Sequence, residues 1–168
     1  MKTKYTALIG AGILSCLAGC VSNPLALAPV GPDAVSRALP GRQAYLEVFT
    51  ATQTIDVDFQ AYFHPHMGYD INDAAGRSVR FVQNHTSNMD ESPELVTLPP
   101  GNYEVVAEST WCGLVGVPVV VQKGKTTVVH LDGNAWRPPH ASGGQLVYLP
   151  NGEVVGWSSG RNVLGLRN

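Results

Sequence analysis

The chain has 168 residues, of which 14% are charged, and its formal net charge is −2. Its 18 glycines, 12 prolines and recurrent valine-rich runs are typical of one turn-rich all-β domain that follows a leader. Between Tyr45 and Asp132 four Lys/Arg stand against eleven Asp/Glu, a net charge of −7, which argues against nucleic acid as a partner of this part.

The first 19 residues have the layout of a secretory signal peptide. Lys2 and Lys4 precede an apolar run over 6–17 that is too short to span a bilayer as a helix. The run ends in Leu17-Ala18-Gly19-Cys20, which resembles the lipobox of bacterial lipoproteins. The resemblance implies cleavage before Cys20, lipid on its sulfur and attachment to the cell envelope. An ordinary signal peptide that happens to contain a cysteine is the alternative.

Residues 20–42 are predicted to be a tether between the lipid and the domain. Four prolines interrupt this run, which is therefore expected to form neither a β-ladder nor a long helix. In the family that the lipobox resembles, an Asp after the lipidated cysteine favours retention in the inner membrane. Val21 at that position therefore favours the outer membrane.

Residues 43–132 are predicted to form a seven-stranded Greek-key β-sandwich. Seven strands at hairpin spacing with an acidic, turn-rich surface favour two packed sheets over a barrel. Polar loops are predicted over 64–75 and 84–93. The predicted strands are Gln43–Thr50, Thr54–Phe63, Ser78–Gln83, Glu94–Leu98, Tyr103–Trp111, Val117–Gln122 and Thr126–Leu131.

A structural corner is predicted at Gly101 and Tyr103. Pro100-Gly101 fits the centre of a type II turn, which requires positive φ at the glycine. Tyr103 then enters a strand, and its hydroxyl is expected to bond backbone a few residues upstream, as in the tyrosine corner of Greek-key sandwiches. By the period of two, Trp111 is expected on the same strand face as Tyr103.

Two motifs in this region resemble a known domain family. Asp73-Ala74-Ala75-Gly76-Arg77 and the later run from Leu98 to Val105, which reads LPPGNYEV, are similar to motifs of prealbumin-like, carboxypeptidase regulatory-like domains. The resemblance covers roughly Tyr45 to Asp132. It implies a seven-stranded, Ig-like sandwich that serves as an accessory or carbohydrate-contacting module.

Residues 133–168 are predicted to be a C-terminal extension that contains a hairpin. Its strands, 145–149 and 153–157, flank Pro150-Asn151-Gly152, and Asn-Gly is the preferred tip of a tight hairpin. Because an isolated hairpin is marginally stable, we expect it to dock on the sandwich or on a partner.

Two sets of polar residues suggest catalytic chemistry. His64 and His66, with Asp70, Asp73 and His85 nearby, have side chains that ligate metals, although solvated loop histidines are the favoured interpretation. Asp56 and Asp58 are predicted to share one strand face, as the two carboxylates of a glycoside hydrolase would. Acidic residues that keep a strand edge soluble are the favoured interpretation of that pair.

Aromatic residues suggest a sugar-binding platform, formed by Trp111, Trp136, Trp157, Tyr62 and Tyr69. The favoured alternative makes Trp111 and Trp157 core anchors. If Cys20 carries lipid, Cys112 is the one free thiol of the mature chain, and burial is expected for it.

These patterns predict a lipid-anchored envelope protein that acts as a binding or structural accessory module. A carbohydrate-binding module is the sharper alternative, and a metal-dependent or carboxylate-based hydrolase is the competing class. No catalytic residue, metal or cofactor is assigned. The expected partners are the membrane, through the lipid, and envelope proteins or glycans. The candidate functional residues are Cys20 for lipidation, Gly101 and Tyr103 for the corner, and His64, His66 and Trp111 for a ligand.

Overall fold

The computed structural model describes residues 28–32, 39, 41–58, 61–133 and 146–158. These residues form strands and no helix, so the all-β prediction is confirmed. The leader, Cys20, Phe59, Trp136 and most of the predicted tether lie outside the described residues. The strands are β1 (Val30–Gly31), β2 (Ala44–Phe49), β3 (Ile55–Val57), β4 (Ala61–Phe63), β5 (Tyr69–Asp73), β6 (Ser78–Val82), β7 (Leu95–Leu98), β8 (Gly101–Ser109), β9 (Gly113–Val121), β10 (Thr126–His130), β11 (Leu146–Tyr148) and β12 (Val154–Ser158).

The strands form three sheets. One sheet has seven strands in the order β11-β12-β1-β9-β8-β5-β6, a second has the order β10-β2-β7, and β3 pairs with β4 alone. The longest ladder joins β8 to β9, from Gly101 opposite Val121 to Ser109 opposite Gly113. In the three-stranded sheet, β2 pairs in parallel with β10 and antiparallel with β7. No helix long and apolar enough to span a bilayer occurs in the parts of the chain that the structure describes.

One apolar core joins the seven-stranded and three-stranded sheets. In β2 every second residue is buried, as the period of two requires, so that Leu46 and Val48 have no exposed surface. Val105 of β8 and Val117 of β9 belong to the same cluster. Each such side chain contributes about 1.5–3 kcal/mol by leaving water, so the core accounts for most of the stability of the fold.

The predicted strand Thr54–Phe63 is wrong, because this segment is a hairpin. Ile55 pairs with Phe63 and Val57 with Ala61 in the two-stranded sheet. The chain turns at Asp58, whose φ of 55° lies in the left-handed region that Asp tolerates better than most residues. Apolar residues at alternate positions occur on both arms of a hairpin, so their pattern did not reveal the turn.

The predicted loop 64–75 is also wrong, because it contains β5. This strand lies between β6 and β8, and its Tyr69 and Ile71 are buried in the core. Two apolar residues separated by Asp70 give a weak strand signal, and the pairing partners on both sides supply the missing stabilisation. Together with the break at Asp58, this strand gives nine strands in the described residues between 44 and 130, where seven were predicted.

The Asp73–Arg77 segment forms the turn between β5 and β6. The Asp73 carboxylate accepts hydrogen bonds from the backbone N–H groups of Ala75 and Arg77, at 2.9 and 3.0 Å. Gly76 has a φ of 75°, which a glycine adopts without steric cost. The first motif of the family resemblance is therefore a self-capped hairpin turn.

Both ends of the described chain enter the seven-stranded sheet. Val30 and Gly31 pair with Ser158 and Trp157 of β12, and Val30 also pairs with Val119 of β9. The expectation that residues 20–42 form no ladder is therefore wrong at β1. The predicted C-terminal hairpin is present as β11 and β12, with Gly152 at its tip at a φ of 88°. It docks on the domain by extending the sheet through β1.

The corner at Tyr103 differs in part from its prediction. The Tyr103 hydroxyl donates a hydrogen bond to the Pro99 carbonyl at 3.0 Å, four residues upstream. Gly101, however, is the first residue of β8 and is not among the glycines with positive φ, so the predicted type II geometry is wrong. A Cβ at Gly101 would lie 3.4 Å from the Tyr103 ring, so this glycine packs beside the ring without strain.

Candidate functional site

The structure separates His64 from His66. The Nδ1 atom of His66 lies 2.8 Å from the Thr50 carbonyl oxygen, and because a carbonyl only accepts, this nitrogen carries the proton. His66 is buried, whereas His64 is exposed and donates its backbone N–H to the Glu91 carboxylate at 2.7 Å. The two imidazoles therefore do not form the pair that the sequence suggested, and His66 has a structural role.

The remaining candidates for metal ligation are dispersed. His85 donates through Nδ1 to the Ser87 carbonyl at 3.1 Å, within its own loop. Asp73 forms an ion pair with Arg77 at 2.7 Å, and hydrogen bonds from Arg77 lower the pKa of the Asp73 carboxyl. Asp70 is exposed on β5. In the described ranges, no three His, Cys, Asp or Glu side chains are grouped as a metal site requires.

Asp56 and Asp58 do not share a strand face. Asp56 lies in β3 opposite Tyr62, whereas Asp58 occupies the left-handed turn that follows. Both are exposed. The predicted carboxylate pair depended on one continuous strand, so the turn at Asp58 removes its geometry.

A buried polar network surrounds Asn84, which has no exposed surface and a φ of 68°. Its amide nitrogen donates to the carbonyls of Val48 and Met67, at 3.0 and 3.2 Å. Its amide oxygen accepts the backbone N–H of Glu94 at 3.0 Å. The Asn84 side chain thus continues the pairing of β2 beyond the first residue of β7, by joining Val48 to Glu94. Sequence reasoning missed it because the partners come from three distant segments.

The Glu47 carboxyl and the His66 imidazole lie near this network and interact electrostatically. Burial raises the pKa of the Glu47 carboxyl, and the nearby His66 imidazole opposes part of that shift. Tyr69 is 1% exposed, and its hydroxyl has no hydrogen-bond partner in the described residues. Burial accordingly raises the pKa of Tyr69. Residues with shifted pKa values are enriched at functional sites. Sequence patterns did not indicate that β2 and β5 place Glu47 and Tyr69 near one another.

Three rings form a row on the outer face of β2 and β10. Phe49 stacks on His130, with ring centroids 4.8 Å apart, and meets the edge of His66 at 5.5 Å. Burial lowers the pKa of His130 to about 4, although Asp132 opposes the shift. At neutral pH His130 is therefore an uncharged ring that packs like an aromatic residue.

Trp111 lies outside the core. It is 69% exposed and occupies the turn between β8 and β9, so the core-anchor prediction is wrong for Trp111, whereas Trp157 is 6% exposed and buried as predicted. β8 ends at Ser109, and the turn at 110–112 interrupts the period of two that placed Trp111 inside. Tyr62 is exposed and Tyr69 is buried, so the described members of the predicted aromatic platform do not form one surface.

Cys112 follows Trp111 in the same turn and is half-buried against the core. Burial raises the pKa of its thiol, and the Glu153 carboxylate raises it further. Since the thiolate is the nucleophilic form, this cysteine is poorly suited to nucleophilic catalysis.

Comparison of the chain with protein-family models, with curated proteins and with solved structures found no match. The function is therefore inferred from the residues themselves. His66, His85 and Asp73 make structural hydrogen bonds, while Trp111 presents a large apolar surface to solvent.

Proposed function

We propose that this protein is a lipid-anchored β-sandwich of the bacterial cell envelope that acts as a binding or structural accessory module. The observation that carries the proposal is Leu17-Ala18-Gly19-Cys20 after a cationic start and an apolar run. One acyl chain binds a membrane only marginally, whereas two or three hold a protein durably. Val21 after the cysteine favours the outer membrane as the destination.

The domain is proposed to be a prealbumin-like Greek-key sandwich with added strands. Two local features support this assignment: the capped turn at Asp73–Arg77 and the bond from the Tyr103 hydroxyl to Pro99. They correspond to the two motifs of the family resemblance. In this proposal β1, β11 and β12 are additions at the side of β9.

A role without catalysis is supported by the way the candidate catalytic groups are used. His66 is buried and bonded to backbone, and Asp58 lies in a turn away from the face of Asp56. A protein held at a membrane with an exposed Trp111 is instead placed to contact other envelope components. A carbohydrate-binding module is the second candidate, because indole faces also stack on sugar rings.

The anchor is tested by changing Cys20. Cys20→Ser should abolish labelling by radioactive palmitate and block cleavage by the lipoprotein signal peptidase, because only the sulfur is alkylated. Cys112→Ser is the matched control and should remain labelled and membrane-bound. Wild-type protein found in the soluble periplasmic fraction, with an unmodified N-terminus by mass spectrometry, would contradict the proposal.

The accessory role is tested by purifying the lipidated protein from membranes after mild cross-linking. We expect defined envelope proteins to co-purify, and a parallel pulldown on peptidoglycan separates a glycan-binding module from a protein-binding one. If neither partners nor glycan are recovered above the level seen with an unrelated lipoprotein, the accessory role is wrong.

A further inference from the structure

The end of the β8–β9 hairpin exposes two large apolar side chains. Trp111 is 69% exposed and Leu114, one residue into β9, is 50% exposed. We call Thr110–Leu114 the Trp111 tip. Single exposed apolar residues are common on soluble proteins, but an exposed indole and an exposed leucine within four residues at one strand turn are typical of residues at a protein interface.

The Trp111 tip is held in place by the domain. The backbone N–H of Thr110 donates to the Leu131 carbonyl at 2.9 Å, which fixes the turn to the residue after β10. Gly133 has a φ of 68°, and a Cβ there would lie 2.5 Å from the Trp111 indole nitrogen. The glycine therefore lets the backbone approach the ring closely. A ring supported in this way loses little conformational freedom on binding.

Carboxylates flank the Trp111 tip. Glu108 is the β8 partner of Leu114, and its Oε1 atom lies 3.9 Å from where a Cβ on Gly113 would be. Glu153 comes within 3.4 Å of the Ser109 hydroxyl and acts on the Cys112 thiol electrostatically. Two carboxylates, those of Glu108 and Glu153, thus lie next to the apolar tip.

The Lys and Arg side chains of the described residues lie elsewhere. Lys123 and Lys125 are in the turn at the far end of β9, roughly 26 Å of strand from the tip. Arg42 adjoins the same turn, where Gln43 accepts the N–H of Gly124. Arg77 and Arg80 form ion pairs with Asp73 and Glu94. Among the described residues, no Lys or Arg therefore lies beside the Glu108 and Glu153 carboxylates.

We propose that the Trp111 tip is the docking site for a segment of a partner protein that carries Lys or Arg next to aliphatic residues. The indole face attracts a cation, and the two neighbouring carboxylates strengthen that attraction. Leu114 supplies an aliphatic contact, which suits a polypeptide better than the hydroxyls of a sugar. This inference rests on the proposed role as a binding module and names the surface and the partner chemistry.

The test measures binding of a fluorescent peptide, Lys-Arg-Leu-Lys-Arg-Leu, to the full-length lipoprotein in mild detergent. The control peptide has Gln at every cationic position. We expect the cationic peptide to bind at least about tenfold more tightly, and Trp111→Ala to weaken it by about tenfold, whereas Trp111→Phe keeps most of the affinity. Glu108→Gln should weaken binding and reduce its dependence on salt. Phe81→Ala, which removes another exposed ring on β6, should leave binding unchanged.

Several outcomes would overturn the proposal. Equal binding of the two peptides, or full affinity in Trp111→Ala with an unchanged urea midpoint, removes the tip as a cation site. Trp111-dependent binding of peptidoglycan fragments without peptide binding assigns the tip to glycans. Self-association that is lost in both Trp111→Ala and Lys123→Glu assigns it to a second copy of this chain. Envelope proteins that still co-purify with Trp111→Ala would leave the accessory role intact and place it on another surface.

Discussion

Two tyrosine hydroxyls have opposite surroundings in this fold. Tyr103 donates to the Pro99 carbonyl, whereas the Tyr69 hydroxyl is buried without a hydrogen-bond partner in the described residues. A hydrogen bond contributes about 1 kcal/mol net, but an unpaired buried hydroxyl costs free energy because it has left water without compensation. The same chemical group therefore has opposite effects on stability at the two positions.

Tyr103→Phe and Tyr69→Phe test this difference directly. Tyr103→Phe should lower the free energy of unfolding by about 0.5–1 kcal/mol, because it removes a bond at a partly exposed site. Tyr69→Phe should leave it unchanged or raise it by up to about 1 kcal/mol. Urea denaturation of both variants measures the two effects. A larger loss in Tyr69→Phe than in Tyr103→Phe would show that the Tyr69 hydroxyl has a partner.

At the scale of elements, the outer strands of the seven-stranded sheet are irregular. In β6 the register shifts so that Arg80 pairs with Ile71 while Ser78 pairs with Asn72, which leaves Val79 as a bulge. At the other edge β11 has three residues, and its register with β12 also shifts. Bulges, short strands and charged edge residues all hinder pairing with a further strand. Among the described strands, both outer strands of the sheet thus have features that hinder further pairing.

Where strands lie close together, no room is left for a side chain, so glycines at such positions are needed for packing. A Cβ at Gly156 would lie 2.5 Å from a methyl carbon of Val30 and 3.0 Å from the Val128 carbonyl oxygen. Gly156→Ala should therefore lower the free energy of unfolding by about 1–3 kcal/mol, because neither the β-branched side chain nor the backbone yields easily. Gly101→Ala is the matched control and should change stability by less than about 1 kcal/mol. Equal losses in thermal denaturation would refute the packing explanation.

Sequence patterns predicted the elements whose signals are local. β8 follows from alternating residues within a few positions, and the hairpin of β11 and β12 follows from the Asn-Gly at its tip. β5 was missed because Tyr69 and Ile71 alone give little signal, and its pairing partners lie elsewhere in the chain. Trp111 was misplaced because period-two reasoning continued past the end of β8.

The features of the candidate site that sequence reasoning did not predict depend on residues far apart in the chain. The Asn84 amide nitrogen donates a hydrogen bond to the Val48 carbonyl, 36 residues away, and no spacing rule predicts such a contact. The row of His66, Phe49 and His130 likewise requires knowledge of which strands are neighbours. Composition and alternation predicted the all-β class, whereas the polar network and the exposed indole followed only from the packing.

Stability of the whole molecule should depend on pH through His130. Burial against Phe49 lowers its pKa from 6.5 to about 4 in the folded state. The folded state therefore binds fewer protons than the unfolded state between these values, so stability is fully present above about pH 6.5 and falls as the pH drops to about 4. The expected loss is roughly 2–3 kcal/mol.

Urea midpoints measured from pH 7 to pH 4 test this dependence, with His130→Phe as the control that should show a flatter profile. Other groups act outside this window or in the opposite direction. The pKa of Asp90 is lowered to about 2, so its contribution is lost only below about pH 4. The raised pKa of Glu47 stabilises the fold as the pH falls and offsets part of the loss. Identical profiles for the wild type and His130→Phe would rule out His130 as the cause.

The pairing of β1 with β12 has a consequence for the order of events during synthesis. Val30 is among the first described residues to be made, and its partner Ser158 is the last. At about 5–20 residues per second, the ribosome adds Ser158 roughly 6–26 s after Val30. Until then β1 lacks its antiparallel neighbour, and the seven-stranded sheet stays incomplete. The seven-stranded sheet can therefore close only when both ends of the described chain are present, so its last pairing forms late in synthesis.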